Sequence, residues 1–201
     1  MDLPDIALWH AFNDGHRFVT TGETVTTRVE NAAELVLPTG RIVVSDPVLN
    51  PFNEPFSVAV EPGAYPVLLS YIKDEIGLVM VYFADGPPIR WEVSNPSDFH
   101  VDSGRGCLMD QKICRFLRRK AENDQYERYL ERFGNFLEES EDQWENYCLS
   151  TESGANMILF RTHGGDGVFP AFFGFNSDDE VVCLIIDMFL CFEHVLGSAP
   201  E

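Results

Sequence analysis

The chain has 201 residues, 45% of them hydrophobic and 12% aromatic, which is ample for one packed core and far from the depleted composition of disordered chains. Its 33 acidic residues outweigh 14 basic ones, and the formal charge of -19 repels phosphate backbones and anionic lipid heads, which argues against nucleic acid or a membrane surface as partner. Five cysteines, Cys107, Cys114, Cys148, Cys183 and Cys191, form an odd set without a C-x-x-C pair, so neither a disulfide framework nor a zinc module is expected and a reducing cytoplasm is.

Met1 to Asp5 has no basic segment and no unbroken apolar run, so no signal peptide is expected. From Thr24 to Val93 β-branched and aromatic residues cluster between proline and glycine breaks, which predicts five or six short strands. Val36-Leu37, then Pro38-Thr39-Gly40, then Arg41 to Val44 read as a hairpin that Asp46-Pro47 stops. Phe56 to Val60 alternates and runs into Pro62-Gly63, the pair suited to the centre of a type II turn. Tyr65 to Ile72, Gly77 to Ala84 and Ile89 to Val93 complete an expected antiparallel meander.

The period then changes from two to about 3.6, which predicts a helical insertion at about 110–140. Ile113, Phe116 and Leu117 share one face of a first helix. After a break near Asn123, Tyr126, Tyr129, Leu130, Phe133 and Leu137 form the apolar stripe of a second, with Asp124 and Glu127 at capping-box spacing. Seven of the 14 basic residues fall between Lys112 and Arg132, and Lys112, Arg115, Arg118, Arg119 and Lys120 are expected to pair with nearby carboxylates. Glu138 to Asp142 reads as a solvated helix end.

Strands return at Tyr147 to Ser150, Asn156 to Thr162, Val168 to Phe173 and Val181 to Phe189, joined by glycine-rich turns. The apolar run Val181 to Phe192 is interrupted by Asp187 and is too short to span a bilayer. The whole describes one α+β domain over residues 1–201, mainly antiparallel sheet or sandwich with the helices inserted.

Three polar clusters interrupt this pattern. The first runs from His100 through Asp102, Ser103, Gly104 and Gly106 to Cys107, with Asp110 beyond it. It suits a loop presenting a carboxylate, a hydroxyl and a thiol, and equally a turn with Asp110 as a helix N-cap. The second, His163-Gly164-Gly165-Asp166-Gly167, offers a base or ligand in His163 beside Asp166, but Asp-Gly between strands is above all a hairpin signal. In the third, Gly40 to Pro47, Asp46 offers a ligand but above all a side chain that closes a turn. Candidate catalytic residues are therefore Asp102, Ser103, Cys107, His163 and Asp166. Asp102, Asp110 and Asp166, with Asp46 nearby in type, are candidate ligands for a hard cation. The nucleophile elbow, zinc-protease, phosphate-loop and calcium-loop patterns do not occur, and no cofactor is expected.

The order Leu37-Pro38-Thr39-Gly40-Arg41-Ile42-Val43 with Asp46-Pro47, then Pro62-Gly63 with Tyr65-Pro66-Val67, Arg90-Trp91-Glu92, Val101-Asp102-Ser103-Gly104 with Gly106-Cys107 and Asp110, and Gly165-Asp166-Gly167 resembles the bacterial domain-of-unknown-function family numbered 4241. The likeness covers about residues 35–190 and departs in loop details such as Gly164-Gly165. The resemblance brings no catalytic residues with it; what it implies is company with bacterial toxin and immunity systems. Two functions fit. An acidic domain that docks a basic protein, as an immunity protein docks a toxin, accounts for the charge. A metal-assisted hydrolase using Asp102, Asp110 and Asp166 requires the first two clusters to meet in space. The sequence leans away from an enzyme and does not specify an oligomeric state.

Overall fold

A computed structural model of the chain describes residues 5–20, 22–94, 99–138, 142–149, 154–190 and 195–198. The expectations for Met1 to Pro4, Glu139 to Glu141, Ser150, Cys191 and Phe192 lie outside these, as does the side chain of Leu137. In chain order, α1 (Asp5–His10) and β1 (Arg17–Thr20) precede β2 (Thr24–Leu37) and β3 (Ile42–Ser45). Then come β4 (Gly63–Ile72), β5 (Glu75–Tyr82), β6 (Arg90–Val93), β7 (His100–Val101) and β8 (Arg105–Asp110). The helices α2 (Gln111–Ala121) and α3 (Glu127–Glu138) follow, and then β9 (Trp144–Cys148), β10 (Asn156–Arg161) and β11 (Gly167–Val168). The last strands are β12 (Ala171–Phe175), β13 (Val181–Asp187) and β14 (Val195–Ser198). The protein is α+β, dominated by antiparallel strands, with the helical pair inserted where the change of period placed it.

Contacts divide the chain into two compact units, one of Met1–Ala32, Pro66–Pro96 and Phe169–Glu201, the other of Ala33–Tyr65 and Ser97–Val168. The first unit carries most of an eight-stranded sheet of order β14-β1-β2-β4-β5-β13-β12-β6. Its core gathers Leu8, Phe18, Ile72, Met80, Ile185 and Phe189, each a side chain whose removal from water contributes roughly 1.5–3 kcal/mol. Leu8 brings α1 into that core, and Ser70 Oγ donates to Ala11 O at 2.6 Å just beyond the helix. Asp187, which breaks the last apolar run, is fully buried, and its Oδ1 accepts from Phe189 N at 3.0 Å and Leu190 N at 2.7 Å. A carboxylate at that point satisfies main-chain donors which the end of β13 would otherwise bury without partners.

The expected meander is interrupted. β4 and β5 are neighbours, but β13 and β12 lie between β5 and β6. Periodicity fixes which face of a strand is apolar and is silent on which strand lies beside it. The β4–β5 hairpin has a two-residue loop, with Ile72 opposite Glu75 and both Lys73 (φ 55) and Asp74 (φ 68) left-handed. That is the twist a type I′ turn needs, which glycine meets at less cost than aspartate. Asp74→Gly is expected to raise stability by roughly 0.5–1 kcal/mol in urea denaturation; a destabilised variant would show that Asp74 holds the turn by other means.

The second unit is built on a four-stranded sheet of order β3-β8-β10-β9 and a two-stranded ribbon of β7 and β11. Pro38-Thr39-Gly40 does turn, with Gly40 N donating to Leu37 O and Gly40 at φ 64, but β2 and β3 join different sheets, so the expected hairpin does not form. β3 pairs instead with β8, with Ile42 opposite Asp110 and Ser45 opposite Cys107. Phe56 to Val60 is not a strand. Single bonds from Phe56 N to Ile42 O and from Val60 N to Gly40 O hold it, too few for a ladder. Gly63 is not left-handed, which removes the expected type II turn; its lack of a side chain makes room for the Tyr65 ring, which a Cβ there would approach to 3.1 Å.

Ile113, Cys114 and Leu117 of α2 and Tyr126, Tyr129 and Phe133 at α3 pack on Met109, Tyr147, Met157 and Leu159. The ring centroids of Phe133 and Tyr147 are 5.6 Å apart at 85°, an edge-to-face contact. Asp124 is not the N-cap of α3. It is left-handed (φ 54) and donates its N–H to Ala121 O, while Gln125 N reaches Lys120 O, so it closes the C-terminus of α2 in a Schellman motif.

Candidate functional site

Asp46 follows β3 and is fully buried, and its carboxylate is the centre on which the first and third polar clusters meet. Oδ1 accepts from Val48 N at 2.8 Å and Leu49 N at 3.0 Å, the local turn that the sequence predicts. Oδ2 accepts from Asp102 N and Ser103 N, both at 2.9 Å, and Ser103 Oγ donates to Oδ1 at 2.7 Å. A carboxylate offers about four lone-pair sites, and these donors occupy them. Asp46 is thus a clamp between two loops and has no capacity left for a cation.

The second cluster joins the first from the other side. β7 pairs with β11, Val101 opposite Gly167 and His100 opposite Val168. Asp166 Oδ1 accepts from Gly104 N at 2.9 Å, and Thr162 N donates to Gly104 O at 3.1 Å. Gly104 (φ 66) and Gly165 (φ 90) take conformations that strain any other residue, and a Cβ on Gly104 would lie 3.8 Å from Gly165 Cα. The turns at 102–104 and 162–167 therefore form one ridge. On it Asp102 and Asp166 are exposed, Ser103 and His163 are half-buried, and His100 Nε2 lies 3.0 Å from Asp102 Oδ1. Both members of the His100–Asp102 pair lie inside the first cluster, but their i, i+2 spacing carries no signal that they meet.

Asp110 does not belong to this ridge. It ends β8, whose five further residue steps at about 3.3 Å each carry it roughly 17 Å from Arg105, too far to share an ion with Asp102 and Asp166. Its buried carboxylate accepts Lys112 N at 2.7 Å as the N-cap of α2, and Thr39 N at 2.9 Å and Thr39 Oγ1 at 2.8 Å. Among the described residues no three His, Cys, Asp or Glu side chains are grouped to hold a metal ion.

Cys107 belongs to the core rather than to this ridge. It is fully buried, 3.3 Å from Ser45 Oγ, and burial pushes its thiol up to about 12, so the reactive thiolate is withheld at neutral pH. With iodoacetamide at pH 8, exposed Cys148 is expected to alkylate promptly in the native protein and Cys107 only after unfolding. Prompt native labelling of Cys107 by peptide mass spectrometry would contradict its place in the core.

The cationic helix differs from expectation too. Arg118 pairs with Glu54 at 3.2 Å and donates to Phe52 O at 2.8 Å, and Lys120 lies over the Phe116 ring. Lys112, Arg115 and Arg119 are exposed, and among the described residues none has a carboxylate within 4.0 Å. In the first unit a shallow cavity of about 290 Å³ is lined by Glu23, Arg28, Tyr71, Lys73 and Asp74 among others. Its cations are already engaged, Arg28 with Glu30 and the Tyr71 ring and Lys73 with Glu23. Burial, reinforced by the Glu30 carboxylate, pushes the Tyr71 hydroxyl up to about 12.

A family model described as "Protein of unknown function (DUF4241)" matches residues 35–186. No curated protein and no solved structure matches the chain.

Proposed function

The chain belongs to the DUF4241 family, and from that premise we propose that it is an acidic binding protein of immunity type, which docks a basic effector protein, such as a toxin, and neutralises it. The observation that carries this reading is the charge. With 33 carboxylates against 14 lysines and arginines, full one-to-one pairing still leaves an excess of 19 carboxylates. Such a surface accelerates the approach of a cationic protein and opposes polyanions. The buried Asp46 and Asp110 carboxylates support it from the other side, since they serve main-chain donors rather than a reacting group. In its source cells the tagged chain is expected to retain a basic partner at low salt and release it at about 0.5 M, where the Debye length falls to a few ångströms. Coexpression with the product of the adjacent gene, scored by growth, tests neutralisation directly. Absence of any partner at low ionic strength, together with no protection, would end this reading.

A hydrolase reading retains one observation, the shared ridge of His100, Asp102 and Asp166. It loses Asp110 as a ligand. Activity against ester, amide or phosphate substrates that needs added magnesium and disappears in an Asp102→Ala, Asp166→Ala double variant would favour it over binding.

A further inference from the structure

Seven of the 14 lysines and arginines of this acidic chain fall between Lys112 and Arg132, and four of the seven are engaged by the chain itself. Arg118 meets Glu54, Lys120 meets Gln125 and the Phe116 ring, and Arg128 and Arg132 lie over the rings of Tyr129 and Tyr147. Lys112, Arg115 and Arg119 are left. All three are exposed, and among the described residues no side-chain hydrogen bond, ion pair or ring contact holds them. At about 100° per residue they fall within roughly 60° of one another on α2, on the side away from Ile113, Cys114 and Leu117, which enter the core. At about 1.5 Å per residue they span roughly 10 Å of the helix.

This crest works against the helix that carries it. Lys112 and Arg115 are three positions apart, and Arg115 and Arg119 four, the spacings at which like charges repel and a carboxylate would attract. Lys112 also stands in the first turn, which holds no acidic residue and where the helix dipole disfavours a cation. The chain has 33 carboxylates, yet among the described residues none is placed to neutralise these three cations. A charge arrangement that costs the helix and makes no contact within the chain is what a surface kept for a partner requires.

We infer that the outer face of α2 is a docking site for an acidic segment of a second protein, whose carboxylates meet Lys112, Arg115 and Arg119. Charge complementarity selects this occupant. The crest is confined to about two turns, and the exposed Glu122 stands just beyond it. A short acidic segment therefore meets cations alone, whereas a nucleic acid would carry its row of phosphates onto a chain with a formal charge of -19. The site is independent of the basic partner proposed above, which answers to the surplus of carboxylates and not to these cations.

Titrating the full chain with an octaglutamate peptide at low salt, followed by the amide resonances, is expected to give saturable shifts centred on α2. Arg115→Glu is expected to weaken binding by about fivefold or more. Lys73→Glu, which changes the net charge by the same amount in the first unit, is expected to stay within about twofold. Arg115→Glu is also expected to be at least as stable as the natural chain in urea, because a glutamate there stands four positions before Arg119. Since it makes the chain more acidic, it should not weaken capture of a basic partner, so the two readings fail separately. No saturable shift on α2, or equal losses for Arg115→Glu and Lys73→Glu, overturns the inference. So does a less stable Arg115→Glu chain, which would give Arg115 a structural role. An oligothymidylate of equal charge that binds the same amides more tightly would assign the face to nucleic acid instead, and self-association lost in Arg115→Glu would assign it to a second copy.

Discussion

Asp46→Ala is expected to lower the free energy of unfolding by about 3–5 kcal/mol, among the largest effects for a single polar side chain in this protein. The substitution withdraws the acceptor of Val48 N, Leu49 N, Asp102 N, Ser103 N and Ser103 Oγ at once. A stranded buried donor costs about 1–3 kcal/mol, and the total stays below the simple sum because the exposed turn at Asp102 can relax toward water. Asp46→Asn is expected to be nearly as costly, since its amide points two donors at N–H groups that are donors themselves. Denaturant unfolding measures the loss, and hydrogen exchange at the Asp102 and Ser103 amides locates it. A loss under about 1 kcal/mol, with those amides still protected, would show that the ridge stands without the clamp.

Gly40→Ala is expected to cost about 3–4 kcal/mol, in two separable parts. Gly40 is left-handed at φ 64, which any L side chain resists by about 1 kcal/mol or more. A Cβ there would also fall within the envelope of the Val60 carbonyl oxygen, and backbone cannot step aside as a flexible side chain does. The segment after β3 is held by the 3.0 Å bond from Val60 N to Gly40 O, so the clash breaks an anchor as well. Gly164→Ala is the control. It is left-handed too, at φ 71, but nothing lies within 4 Å of its Cβ position, and about 1 kcal/mol is expected. Equal losses for the two variants would show that the Val60 segment yields freely.

The strands that the sequence predicts most nearly, Arg41 to Val44, Tyr65 to Ile72, Asn156 to Thr162 and Val181 to Phe189, correspond to β3, β4, β10 and β13. They are legible because apolar, β-branched residues fill nearly every position and Gly, Pro or Asp bounds them. Phe56 to Val60 alternates equally well and is no strand, because alternation describes a side-chain surface and a ladder needs a neighbour. Asp124 misleads for a related reason: its spacing to Glu127 fits an N-cap, yet the same short polar side chain tolerates the left-handed conformation that ends the preceding helix.

Of the candidate site, the sequence identifies Asp102, Ser103, His163 and Asp166 as polar interruptions but not their arrangement. It reads the turn at Asp46 from the local bonds of Oδ1 and has no means to read Oδ2, whose donors stand 56 and 57 positions away. Asp110 and Cys107 look equivalent to Asp102 on the page; in the structure one caps a helix and the other is sealed in the core.

By itself, then, the sequence determined the class of the two inserted helices and of most strands, though not that Thr24 to Leu37 runs as one strand of 14 residues, together with the apolar interior and the surplus of negative charge, since these follow from residue types and spacings a few positions long. Only the tertiary structure decided that β12 and β13 separate β5 from β6, and that the turns at 102 and 166 share one ridge, the first of them clamped by the buried Asp46. A strand edge or a carboxylate accepts many partners, and which one it takes is set by the packing of segments far apart in the chain.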